Sequence, residues 1–162
     1  MNKEPVKPMS KFDREQMERA QNEIILLKNI KKSLPALKKL HKQVLDMWWY
    51  EDFIYRFYHG SLKIFYRYEQ TRAMVGALKN LAPEGIELNS MFMEIINEGA
   101  SGKEFKTEYN QDWAKHTRPM VEAFLHAKFF LEMAIKYGKI LKKPEPFLPS
   151  GWAALLYLYN LR

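Results

Sequence analysis

Apolar residues recur at intervals of three and four along nearly the whole chain, and nowhere do they alternate with polar ones. Met17, Ala20, Ile24, Leu27 and Ile30 follow this spacing, and Ile64, Tyr68, Thr71, Val75 and Leu78 line one side of a second such segment. Residues so spaced share a face of a helix with 3.6 residues per turn, whereas a half-buried strand needs a period of two. The expected fold class is therefore all-α.

Proline, glycine and capping residues divide the pattern. Residues 1–9 hold Pro5 and Pro8 in a mixed-charge stretch and read as a flexible arm. Ser10 is a plausible N-cap, with Asp13 three residues on. It opens a helix to about Lys32 whose buried stripe is Met17, Ala20, Ile24, Leu27 and Ile30. Ser33-Leu34-Pro35 reads as a stop and restart, because proline suits the first turn of a helix. A second helix then covers about Leu34 to Tyr58, with Leu37, Leu40, Val44, Met47, Trp48, Ile54 and Tyr58 on its face. Its second half is aromatic nearly all round and is expected to be central.

His59-Gly60-Ser61 interrupts, and a third helix follows over about 62–81. A short one with Phe92, Ile95 and Ile96 covers about 90–98, and residues 99–111 form a polar loop. The fifth spans about 112–142, kinked or restarted at Pro119, with Lys128, Glu132 and Lys136 toward solvent. Its Ala123, Ala127 and Ala134 permit close helix approach. Ser150 caps a last helix over Gly151–Asn160 whose Trp152, Leu155, Leu156 and Tyr159 share a face. The architecture implied is a helical bundle of three long helices plus two or three short ones, with residues 10–162 as one domain.

A chain of 162 residues can bury a core large enough to need no covalent staple. It has no cysteine, which removes disulfides, thiolate catalysis and cysteine-held zinc or iron–sulfur centres. The first ten residues lack an apolar core, and no run approaches the roughly 18 apolar residues of a membrane span. A cytoplasmic protein with no membrane partner is expected.

The motifs that carry chemistry are sparse. Gly99-Ala100-Ser101-Gly102-Lys103 faintly resembles a phosphate loop, but Asn97 and Glu104 stand where that pattern needs Gly and Ser or Thr. Glu51, Asp52, Tyr55 and His59 lie within about two helical turns, and Glu122 and His126 are four apart. If the second and fifth helices pack together, these side chains converge on a ligand pocket, a divalent metal or an acid–base pair. The di-iron pattern of a Glu-x-x-His on each of two helices is not met, so no metal or other cofactor is assigned. The plainer reading makes His59 and His126 core or boundary residues, with His126 toward the buried side beside Phe130. The nine tyrosines fit either a pocket for a flat ligand or a core with internal polar links.

The net charge is +7, and between Ile24 and Leu45 there are six lysines (Lys28, Lys31, Lys32, Lys38, Lys39 and Lys42) and no acid. Lys136, Lys139, Lys142 and Lys143 occupy a second acid-free stretch. Sharing a surface, they would make a polyanion footprint. A recognition module usually adds arginines, aromatic platforms or a helix-turn-helix, so nucleic acid is not the favoured partner. The alternative is a solvated face near helix ends.

The leading expectation is a non-catalytic helical-bundle protein that works by binding. It self-associates as a homodimer and takes a protein or small-molecule partner, because the fifth and last helices offer more than one apolar face. The alternatives are a metal- or acid–base-dependent enzyme with its Glu/Asp/His site between the second and fifth helices, and a polyanion binder using the lysine face.

Overall fold

A computed structural model describes residues 8–45, 61–99, 113–144 and 150–161. Among the described residues the chain is all-α: α1 (Lys11–Leu45), α2 (Ser61–Leu81), α3 (Ser90–Gly99), α4 (Trp113–Ile140) and α5 (Ser150–Leu158), with no strand. The expected loop at 99–111 and the aromatic stretch 48–58 fall largely or wholly outside the described residues.

Helix α1 begins where the capping chemistry places it. The Ser10 hydroxyl accepts the Asp13 N–H at 3.1 Å, and the Ser10 carbonyl accepts the Arg14 N–H at 3.0 Å. One otherwise orphaned first-turn donor is thereby satisfied. The stop expected at Ser33–Pro35 is corrected: α1 runs through Pro35 unbroken. Proline removes one ladder bond and crowds the carbonyl of Lys31. Ile30 and Leu37, buried on either side of it, anchor the helix to the same core and override the local preference.

Helix α4 is the hub. It packs against each of the other four helices, and α1 also packs against α2. Small residues make this possible. Ala123, Ala127 and Ala134 are all buried on α4, and a methyl group added at Gly138 would lie 2.7 Å from the Ile30 Cγ2. The missing side chain at Gly138 lets α1 and α4 approach closely.

Several helix ends are closed by side chains from elsewhere in the chain. At the end of α2, Ala82 N–H turns to the Lys79 carbonyl, and the Leu78 carbonyl instead accepts the Tyr159 hydroxyl at 2.6 Å. The Leu81 carbonyl accepts from the Asn29 side chain at 3.0 Å. Near the end of α4, the Gly138 carbonyl accepts from Lys31 Nζ at 3.2 Å. Asn89 is the N-cap of α3, its Oδ1 taking the Met91 N–H at 2.8 Å, while its own N–H bonds the Leu158 carbonyl at 2.7 Å. After α5, Asn160 takes a φ of 53°, with Leu161 N–H on the Leu156 carbonyl and Asn160 N–H on the Tyr157 carbonyl. This is a Schellman closure, in which asparagine tolerates the left-handed conformation.

The expected apolar face of α5 is fully used inside the chain, since Trp152, Leu155, Leu156 and Tyr159 are all buried. The large apolar residue that α5 leaves exposed is Tyr157.

Candidate functional site

Exposed apolar side chains are most numerous on α1, while Leu125 and Phe129, one turn apart, and Ile140 are exposed on α4. Every residue from Lys11 to Gln21 is exposed, and the first core residue of the helix is Leu26. The stripe expected to be buried is therefore corrected: Leu27 and Ile30 are covered, but Met17, Ala20 and Ile24 are exposed, with Ile24 at 56%. The reason lies in the wheel. The face turned to the core carries Leu26, Ile30, Leu37 and Val44. At about 100° per residue, Met17, Ala20 and Ile24 sit about 140° around from it. The helix has two apolar stripes, and α2 and α4 cover only one.

Beside this stripe is an open groove of about 650 Å³. Ala20, Ile24, Leu27 and Pro144 supply its apolar lining. Lys28 and Lys31 of α1 and Lys142 and Lys143, just beyond α4, line it too. Glu23 also lines it. The two acid-free stretches of the sequence thus meet. Lys31 is tied by its ammonium to the Gly138 carbonyl, where the negative end of the α4 dipole favours a cation. Lys32, Lys38, Lys39 and Lys42 are exposed farther along α1 on the side away from the core. The groove combines exposed Ala20 and Ile24 with four cations and one carboxylate, which suits an occupant that is apolar on one face and carries acidic groups.

Of the residues expected to form a ligand pocket, Glu51, Asp52, Tyr55 and His59 lie outside the described residues. Glu122 and His126 are both exposed, which corrects the expected burial of His126. The His126 Nδ1 lies 2.7 Å from the Glu122 backbone carbonyl. A carbonyl only accepts, so Nδ1 carries the proton. Among the described residues, no three histidines and carboxylates gather where they could hold a metal ion.

A different histidine makes the cross-helix contact. His41 of α1 meets Glu132 of α4 at 3.2 Å, and Lys128 joins the same carboxylate at 3.4 Å. The expected solvent stripe of Lys128, Glu132 and Lys136 is corrected to this extent: Lys128 and Glu132 are half-buried, and Lys136 is exposed. His41 lies one turn from both Leu37 and Val44, so its position on the core side was readable from spacing. Its partner was not.

Comparison with known protein families, curated proteins and solved structures finds no significant match to this chain.

Proposed function

We propose that this chain is a non-catalytic, cytoplasmic interaction protein that acts by self-association. Its scaffold is a helical bundle in which α1, α2 and α4 are the long helices and α3 and α5 the short ones, forming one domain over residues 10–162. The observation that carries the reading is the uncovered stripe of Met17, Ala20 and Ile24 on a stretch of helix that starts beyond the core, where Phe12 and Ile25 are also exposed on other sides of the helix. Contiguous apolar surface on an otherwise charged helix is costly in water and marks a contact face. Sedimentation velocity over a range of concentrations tests this. The wild-type chain should sediment as a dimer at high concentration, and Ile24→Glu should be monomeric with an unchanged unfolding midpoint. A wild-type chain that stays monomeric throughout sinks the reading.

A second reading has its own support, the meeting of Lys28 and Lys31 with Lys142 and Lys143 on one groove. It makes the groove a polyanion site. Retention on heparin that falls steeply with salt, and that drops in a Lys28→Ala/Lys142→Ala variant, would favour it. Elution at low salt would count against it.

A further inference from the structure

We propose that the groove is filled by α1 of a second copy of this chain, the two α1 helices packing antiparallel about a two-fold axis so that Asp13 of each meets the partner's Lys31. The inference rests on the self-association reading above and gives it a surface, a direction and a register.

Charge along α1 sets the direction. Its first part carries four acids, Asp13, Glu15, Glu18 and Glu23, against three bases, Lys11, Arg14 and Arg19, whereas from Ile24 to Leu45 it has six lysines and no acid. Side by side in parallel, two such helices would set lysines on lysines. Antiparallel, the start of each, which holds all of the acids of α1, lies over the lysine-bearing part of the other, where Lys142 and Lys143 add to the positive charge. A chain of net charge +7 repels its own copies, so a self-contact needs local pairing of this kind.

Spacing sets the register. Asp13, Met17, Ala20, Ile24, Leu27 and Lys31 follow one another at four, three, four, three and four residues. This alternation is the seam of a two-helix coil. It is also the same read from either end, as a two-fold contact requires, because each surface must complement itself. Reversed on itself, the series pairs Ala20 with the partner's Ile24 and Asp13 with the partner's Lys31, and sets Met17 beside the partner's helix at Leu27, whose own side chain is already buried in its chain. Within one straight helix Asp13 and Lys31 are about 27 Å apart, so their pairing can only be between copies. The same register brings the two Glu23 side chains near the axis, one turn from an Arg19 on each helix.

The test is sedimentation equilibrium of the full chain and four variants at low salt. Asp13→Lys alone and Lys31→Glu alone should each weaken the dimer about tenfold or more, since each reverses two symmetry-related, partly exposed pairs. Mixing these two variants in equal amounts, or combining both changes in one chain, should restore association to within about threefold of wild type. Glu23→Gln should tighten it. A dimer that the single reversals leave intact, or that the swap fails to rescue, overturns this arrangement and leaves self-association standing. A wild-type chain that is monomeric throughout overturns both.

Discussion

Replacing Tyr159 by phenylalanine removes one oxygen and tests how the end of α2 is held. Tyr159 is fully buried, and its hydroxyl donates to the Leu78 carbonyl at 2.6 Å. Ala82 N–H, which would continue the helical ladder to that carbonyl, bonds Lys79 instead. Phenylalanine keeps the ring and its packing but leaves a buried helix-end carbonyl without this donor. An unmet group of that kind costs about 2 kcal/mol, or about 4–8 °C in Tm for a chain of this length. The same hydroxyl makes stability depend on pH. Burial pushes its ionisation well above the usual tyrosine range, whereas the unfolded chain loses the proton near pH 10. The raised value means that this contribution is complete below pH 10. It then falls as pH rises toward the folded-state value, by up to about 1.4 kcal/mol per pH unit. Phenylalanine has no such slope, so the gap between the proteins should close within about 1–2 units above pH 10. Urea unfolding followed by circular dichroism at pH 7, 9, 10 and 11 measures this. A variant within about 0.5 kcal/mol of wild type at pH 7, or a gap that stays constant to pH 11, would refute the reasoning.

Two further substitutions probe α1 against α4. Gly138→Ala gains about 1 kcal/mol of helix propensity, but its methyl would sit 2.7 Å from Ile30 Cγ2, on a stiff, fully buried side chain, and 3.2 Å from Leu34 Cδ1. Overpacking of about 1–3 kcal/mol should win, lowering the urea midpoint; a higher midpoint would show that the two helices separate easily. Pro35→Ala restores an N–H within α1 at an exposed position and should raise stability by about 1–2 kcal/mol, read from the same unfolding curves.

What was readable in the sequence was what local physics decides. The class, the Ser10 cap and the buried face of Thr71, Val75 and Leu78 all follow from spacing and short-range hydrogen bonding. The errors fall where tertiary contacts overrule local signals. Pro35 reads as a break until Ile30 and Leu37 are seen to anchor on one core. Met17, Ala20 and Ile24 have the spacing of a core stripe, and spacing cannot say which of two apolar stripes the neighbouring helices will cover. Asn29, Asn89 and Tyr159 close helix ends far away in sequence, at separations that no local pattern encodes. The groove was half visible. Both lysine-rich stretches stood out, but their meeting depends on how α4 lies against α1.

The exposed start of α1 raises the question of how it stays helical without a core contact. Isolated helices of this length are marginal in water. Here Lys11 and Glu15, Arg14 and Glu18, Glu15 and Arg19, and Arg19 and Glu23 are each four apart, a spacing that supports a helix by a few tenths of a kcal/mol per pair. Ser10 supplies the cap. Ser10→Ala should therefore cost about 1 kcal/mol, but only locally. The first core residue is Leu26, so fraying before it need not weaken the rest. Hydrogen exchange should quicken for amides 11–25 while the global Tm stays within about 1 °C of wild type. If the contact face proposed here is real, dimerisation should weaken alongside, because a frayed helix must be ordered again before it docks. A Tm loss as large as that of Tyr159→Phe would mean that the start of α1 is coupled to the core. It would then be a structural element of the single chain and not a surface held ready for a second copy.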